Sequence, residues 1–247
     1  LNSIGGVFAM HKVDRELQEI LKERIEDEDI IANLSAFQRR MYYIKHLCYY
    51  ELFKKVCHLP GDIVELGVYK GNSLMTFARL VETFCTGDRT KTVWGFDHFQ
   101  GLIEHGDKDG TFERVGNVHG GWNPANSKSS IFKLVELFNQ DSFVPAKPRL
   151  ILVDGDVKET VPQWLKENPG ARLSMLHFDM DLYEPTIHCL NSLYERVIPG
   201  GIVIFDEAFI KEWPGETSAF EEFFQGNVPK IKKFDFSSAP GAYIVKE

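Results

Sequence analysis

The chain has 247 residues, with 28 Lys+Arg against 36 Asp+Glu and a net charge of −8. That balance argues against sequence-independent nucleic-acid binding, which needs many basic side chains against phosphates. The 19 Phe, 8 Tyr and 4 Trp argue against a disordered chain. No apolar run reaches membrane-spanning length. Cys48, Cys57, Cys85 and Cys189 form no C-x-x-C pair and no zinc-finger spacing, which points to reduced thiols and a cytoplasmic protein. The first ten residues, Leu1 to Met10, carry no basic residue and so do not resemble a signal peptide; Met10 offers an internal start.

Residues 10–60 read as helical. Leu17, Ile20, Leu21, Arg24 and Ile25 recur at helical spacing, and the aromatic-rich stretch Phe37 to Cys57 runs up to Pro60-Gly61. This segment holds nine basic and nine acidic residues, so the whole −8 falls on residues 61–247. From Gly61 short apolar runs alternate with helical segments. The expected strands are Ile63–Leu66, Thr92–Phe96, Leu150–Val153, Leu173–Phe178 and Ile202–Phe205. Between them lie expected helices Ser73–Phe84, Ser130–Phe138, Glu159–Lys166 and Pro185–Val197. Helix Glu216–Phe224 follows. The runs Ile231–Phe236 and Ala242–Val245, with Ser-Ser-Ala-Pro-Gly between them, read as a hairpin. The predicted fold class is α/β: a doubly wound, mostly parallel, seven-stranded Rossmann-like sheet with a C-terminal antiparallel hairpin and an N-terminal helical extension. Residues 1–60 form a tail and a helical cap or dimerisation segment, and residues 61–247 form the ligand-binding domain. The glycine-rich stretch Leu102 to Lys128 lacks periodicity and reads as a lid loop.

Ligands of open parallel sheets sit beyond the carboxyl ends of the strands. The first strand leads into Glu65, Gly67 and Gly71, in the order E-L-G-V-Y-K-G-N-S. These glycines let a backbone approach a ligand, and Asn72 or Ser73 can cap the next helix, whose N-terminal amides favour negative charge. A plain strand–turn–helix glycine pair fits equally well. Asp97, in W-G-F-D-H-F-Q-G, can accept both hydroxyls of a ribose; it also suits a loop carboxylate satisfying turn amides. There is no G-x-G-x-x-G, which disfavours nicotinamide. Asp154-Gly155-Asp156 fits either an adenine edge or a turn. The strongest signal is H-F-D-M-D-L-Y, which places His177, Asp179 and Asp181 on one side if the strand persists. I-V-I-F-D-E adds Asp206 and Glu207 at the next strand end. Four carboxylates this close raise each other's pKa unless a cation sits among them, and an oxygen-only set suits Mg²⁺, Mn²⁺ or Ca²⁺. His177 lies inside its strand and reads as a core residue.

The acidic residue before Gly67, Asp97, D-x-D-L-Y-E-x-T at Asp179 to Thr186 and P-G-G-I-V-I-F-D-E at Pro199 to Glu207 resemble the macrocin O-methyltransferase (TylF-like) family. The resemblance covers about residues 35 to 247. It implies a class I, S-adenosylmethionine-dependent methyltransferase, often Mg²⁺-assisted, acting on a sugar hydroxyl of a glycosylated natural product, nucleotide sugar or polysaccharide precursor. By position it implies that Glu65, Gly67 and Gly71, with Val68, Tyr69, Asn72 and Ser73, hold the methionine end of the cofactor. Asp97, with His98 and Phe99, would hold the ribose; Gly155 and Asp156 would lie near the adenine. Asp179, which also touches the cofactor, would bind the metal with Asp206 and Glu207, and Asp181 would be the general base. The family more often has Asp-Asp where this chain has Asp206-Glu207. A homo-oligomer is expected by the same analogy. Tyr69, His119, Trp122 and Tyr183 are expected acceptor contacts or plain packing. Three other readings compete: a metal-dependent glycosyltransferase using Asp179-x-Asp181 with a nucleotide sugar, an iron oxygenase using His177-x-Asp179, and a binding protein with a dead site.

Overall fold

The computed structural model describes residues 12–23, 31–103, 105–110 and 120–247. The internal start at Met10, the acceptor contact at His119 and most of the centre of the expected lid therefore lie outside the described residues.

Among the described residues six strands form one sheet: β1 (Asp62–Leu66), β2 (Val93–Asp97), β3 (Leu150–Asp154), β4 (Leu173–Phe178), β5 (Val197–Phe205) and β6 (Ala242–Val245). Their order is β3-β2-β1-β4-β5-β6; the first five are parallel and β6 runs antiparallel to β5. Six strands, not the expected seven, is a correction. The run 231–236 makes a single bridge, Lys232 to Tyr243, with reciprocal backbone bonds of 2.9 and 2.8 Å. Lys230, Lys232, Lys233 and Asp235 give this outer segment too little apolar surface to bury as a strand, and charge on a sheet edge discourages further pairing.

The helices are α1 (Lys12–Glu23), α2 (Arg40–Val56), α3 (Asn72–Phe84), α4 (Lys128–Gln140), α5 (Val157–Glu167), α6 (Tyr183–Leu193) and α7 (Pro214–Phe223). Helix α6 stops earlier than its apolar pattern suggests. A 3₁₀ turn, Tyr194–Arg196, follows it, and Val197 already belongs to β5. Pro199 holds Ile198 extended, because the α region is disfavoured before proline.

β1 is buried on both faces and divides the core into two layers. Val64 and Leu66 pack with Phe178, Phe205, Trp164, Leu190 and Phe220, under α5, α6 and α7. Ile63 packs with Ile202, Ile204, Phe53, Phe77 and Val81, under α2 and α3. Helix α2 enters this second layer through Tyr49, Leu52, Phe53 and Val56. At the amino ends of the strands, Arg149 is 1% exposed and clamps the end of α3. Its guanidinium donates to Glu82 Oε2 at 2.9 Å and to the carbonyls of Cys85 at 2.5 Å and Lys91 at 2.9 Å. A buried guanidinium without such acceptors would cost several kcal/mol. The four cysteines are free. Among the described residues no helix is long and apolar enough to cross a membrane.

Candidate active site

After β1 the chain crosses to β2 on one side, while β4 lies on the other, so a crevice opens beyond the carboxyl ends of β1 and β4. It holds a cavity of about 920 Å³, large enough for a small molecule and cofactor. The β1–α3 turn (Gly67, Val68, Tyr69, Asn72, Ser73) forms one wall, with Asp97, His98 and Asp156 beside it. Asp179, Asp181, Asp206 and Glu207 form the opposite wall. Met41, Tyr42, Lys45 and Tyr49 of α2 cover it, together with Leu102, Ile103 and Trp122 of the expected lid.

The turn after β1 departs from expectation in its reason for glycine. Gly67 has φ +87°, and a Cβ there would stand 1.9 Å from the carbonyl oxygen of Asp179. What approaches Gly67 is the protein's own backbone, where β4 exits the sheet. Gly71 has φ +83° at the N-cap of α3, and its would-be Cβ meets only Ile131 Cγ2, at 3.6 Å, and Met75. Glu65 lies beneath the turn, fully buried, and does not line the cavity. It accepts the Ser73 hydroxyl, while Oε2 finds no hydrogen-bond partner among the described residues. Burial pushes its carboxyl up to about 8, against the Ser73 bond and Lys45, which favour the charge.

Asp97 organises the turn from the end of β2. Its Oδ2 accepts the amides of Val68 and Tyr69, both at 2.8 Å, and its Oδ1 accepts the Phe99 amide at 2.6 Å. The structure thus shows a carboxylate satisfying turn amides that also lines the cavity. Phe99 is buried against Phe132, with ring centroids 5.9 Å apart, and its side chain does not reach the cavity. Nδ1 of His98 accepts the Gln100 amide at 3.0 Å. Gly155 donates its amide to the Asp97 carbonyl at 3.0 Å and does not line the cavity. Asp156 does, and it caps α5 by accepting the Lys158 amide at 2.8 Å. At the mouth, the Tyr69 and Trp122 rings meet edge to face at 5.7 Å. Tyr183 is buried under the Lys108 ammonium, 3.9 Å from the ring centroid, and does not line the cavity.

The carboxylate wall is built differently from the expected single strand face. β4 ends at Phe178; the Asp179 amide adds one bond to the Leu66 carbonyl at 2.8 Å, and the chain then turns. Asp181 takes φ +64°, a conformation Asp tolerates better than most residues. His177 stays in the core, edge-on to Tyr49 and Phe77. Its Nδ1 is 3.7 Å from Glu65 Oε1 and its Nε2 is 3.9 Å from Asp206 Oδ1. Asp206, also fully buried, is ion-paired with Lys45 of α2. Burial opposes ionisation of Asp206, but Lys45 and His177 outweigh it and hold the carboxyl well below the usual range. Burial alone would lower Lys45; Asp206 beside it raises it instead. Burial, then the charge of Asp206, raises both Asp179 and Glu207. Asp181 is pushed up to about 6 by burial, against a hydrogen bond shared with Glu207.

One carboxylate oxygen each from Asp179, Asp181 and Glu207 lies within 4.8 Å of the others. This half-buried, all-oxygen donor set fits a hard divalent cation, and Glu207 Oε2 finds no partner among the described residues. Of the expected ligands Asp179 and Glu207 belong to this grouping together with Asp181, while Asp206 stands beside it in its ion pair with Lys45. Two residues the sequence did not single out complete the wall. Lys45 is one. Glu216 is the other, fully buried, its Oε2 accepting the Glu207 amide at 3.0 Å.

A cavity at the switch point of a parallel sheet, with a glycine turn after β1 and a carboxylate after β2, defines the chain as a Rossmann-like α/β protein built to hold a small-molecule ligand. Residues 15–233 match the macrocin-O-methyltransferase (TylF) family, and the chain belongs to that family of O-methyltransferases. The calicheamicin methyltransferase CalS11 has a similar structure, with a TM-score of 0.88 and 30% identity, covering 95% of this chain and 91% of that one. Mycinamicin III 3''-O-methyltransferase of Micromonospora griseorubida is 28% identical over 193 residues, 76% of this chain and 70% of that protein. An O-methyltransferase of Streptomyces olivaceus, whose substrate is an 8-demethyl-8-(2,3-dimethoxy-α-L-rhamnosyl)-tetracenomycin C, is 31% identical over 153 residues, 60% of this chain. The match spans 53% of that relative's own length. The glycosyltransferase reading of Asp179-Met180-Asp181 gains no support from these matches.

Proposed function

We propose that the protein transfers the methyl group of S-adenosylmethionine to a sugar hydroxyl of a glycosylated natural product, nucleotide sugar or polysaccharide precursor, assisted by Mg²⁺. The observation that carries this reading is the cavity itself. One wall is a glycine turn whose amides are organised by Asp97, and the facing wall is a set of carboxylates, three of which bring an oxygen within 4.8 Å of one another. The relatives' names support the sugar acceptor: they include a rhamnosyl-tetracenomycin methyltransferase and a TDP-rhamnose 3'-O-methyltransferase.

S-Adenosylmethionine supplies an electrophilic methyl carbon, and a divalent cation supplies positive charge at the acceptor oxygen. The rest falls to the chain. Gly67 to Ser73 and Asp97 hold the cofactor on the β1–β2 side, with Asp156 toward the adenine. Asp179 and Glu207 would hold the cation, which leaves Asp181 to act as the base. Asp181, at the cavity wall, accepts the hydroxyl proton as the oxygen attacks in line with the methyl carbon. Met41, Tyr42, Tyr69 and Trp122 cover the site and exclude water, and the last three offer rings to a sugar. The test is incubation with radiolabelled S-adenosylmethionine and a panel of deoxysugar glycosides and nucleotide sugars. Label transferred to at least one sugar, and lost when that hydroxyl is blocked, is the expected result; label found only on non-sugar acceptors would overturn the reading.

A further inference from the structure

A relay of side chains joins α2 to α3 at the edge of the cavity. Gln38 follows the 3₁₀ turn Leu34–Phe37 in extended backbone, its amide on the Ser35 carbonyl at 3.3 Å, and it lines the cavity. Its Nε2 lies 2.8 Å from Nε2 of His46. Nδ1 of His46 lies 2.9 Å from Oγ1 of Thr76 on α3, and that Oγ1 lies 2.7 Å from the carbonyl oxygen of Asn72. The protons of this relay follow from its far end. A carbonyl only accepts, so the Thr76 hydroxyl donates to Asn72, and Oγ1 accepts from Nδ1–H of His46. Burial, then the charge of Arg79, lowers the pKa of His46 and keeps the ring neutral. With the proton on Nδ1, Nε2 is an acceptor. The Gln38 NH₂ therefore donates to Nε2, and its Oε1 makes no hydrogen bond among the described residues.

We infer that the relay from Asn72 through Thr76 and His46 holds the Gln38 carbonyl oxygen as a fixed acceptor for the ammonium group at the methionine end of the methyl donor. The inference rests on the methyl-donor site of the proposed function. The N-terminal amides of α3 favour a carboxylate. In an α-amino acid the ammonium sits on the carbon that bears the carboxylate, so it falls beside the same helix end. Acceptors are scarce there. Asp97 is engaged with the amides of Val68, Tyr69 and Phe99, and the Ser73 hydroxyl donates to Glu65. Gln38 has a free oxygen, and its tether ends on Asn72, the first residue of α3. An untethered glutamine amide presents oxygen or NH₂ with little preference, and the NH₂ end would meet an ammonium donor to donor. His46 removes that choice. Gln38 is thus the group that touches the ligand, and His46 is a positioning residue that acts through it.

The full-length protein is titrated calorimetrically with S-adenosylhomocysteine and with its analogue lacking the α-amino group. Gln38→Met keeps the length of the side chain and removes the acceptor. It is expected to weaken S-adenosylhomocysteine about tenfold and the deaminated analogue by less than about twofold. Unchanged binding of the analogue also shows that the variant is folded. His46→Leu frees the Gln38 amide to turn and is expected to weaken S-adenosylhomocysteine about threefold, again sparing the analogue. Added to Gln38→Met, His46→Leu is expected to cost nothing further, because its effect passes through Gln38. Equal losses for both ligands in Gln38→Met, or no loss for S-adenosylhomocysteine, would overturn the role of Gln38. A His46→Leu loss that persists undiminished in the Gln38→Met background, or no loss in His46→Leu alone, would overturn the relay. Failure of the parent protein to bind S-adenosylhomocysteine would overturn the methyl-donor site itself, and is told apart because it precedes any substitution.

Discussion

Asp97 is where structure and chemistry make the sharpest quantitative demand. Replacing it with Asn removes the charge and turns one acceptor oxygen into a donor. In the better of its two orientations, the Asn oxygen keeps the Val68 and Tyr69 amides, which the parent holds at 2.8 Å, and its NH₂ faces the Phe99 amide, which the parent holds at 2.6 Å. One hydrogen bond to a charged acceptor is lost, two are weakened, and a donor faces a donor. Hydrogen bonds to charged groups contribute about 1.5–3 kcal/mol each. Asp97 is only half-buried, so water recovers part of this, and a net cost of about 2 kcal/mol follows. For a chain of this size that lowers Tm by about 4–8 °C. Scanning calorimetry measures the shift, and titration with S-adenosylhomocysteine measures the turn, which is expected to lose at least about tenfold in affinity, or 1.4 kcal/mol. A Tm within about 1 °C of the parent would refute the claim that Asp97 holds the turn. A lowered Tm with unchanged affinity would instead remove Asp97 and its turn from the cofactor site.

Three further perturbations follow. Gly67→Ala places a Cβ 1.9 Å from the Asp179 carbonyl, so the backbones of β1 and β4 must part; a loss of at least about 3 kcal/mol, read as insoluble protein or a large fall in Tm, is expected. Parent-like stability in that variant would contradict the close crossing. Glu82 is held below the usual carboxylate range: burial opposes ionisation, but the Phe143 amide and Arg149 prevail. Its folded pKa is depressed, so its stabilisation is present above the unfolded value and is lost as pH falls through the folded value. Glu82→Gln should therefore be less stable than the parent at pH 7, with the difference shrinking below about pH 4; a difference constant from pH 7 to pH 3 would refute the linkage. Asp181→Asn should lower kcat by at least about a hundredfold while changing S-adenosylhomocysteine affinity by less than about threefold; retained turnover would assign the proton to another group.

The features legible in the sequence are those that depend on period and position. Strand–helix alternation after Gly61 gives the parallel sheet, and the rule that ligands sit beyond strand ends brings Asp97, Asp179, Asp206 and Glu207 to one cavity. What escaped the sequence depends on contacts between distant segments. Gly67 is demanded by the backbone of Asp179, more than 100 residues away. Asp181 lies three residues beyond the end of β4 at Phe178, so strand alternation does not apply to it. Glu216 reads as an ordinary acidic residue in a first helical turn, and only the fold brings it to the Glu207 amide. The seventh strand fails because charge falls on both of its faces, Lys232 on one and Lys233 and Asp235 on the other. Lys45 did leave a trace. Cys48, Tyr49, Leu52, Phe53 and Val56 form the buried stripe of α2, and Lys45 extends that stripe by one turn. A lysine on the apolar face of a helix asks for a buried acid, and Asp206 is that acid.

The central claim is that the cavity holds the methyl donor between the Asp97-organised turn and the carboxylate wall. Calorimetric titration of the purified protein with S-adenosylhomocysteine, in Mg²⁺ and again in EDTA, tests it most directly. The account predicts binding in the micromolar range, about −8 kcal/mol, in both conditions, because the turn and not the cation holds the cofactor. Absence of binding in both conditions, from protein shown to be folded, would contradict it.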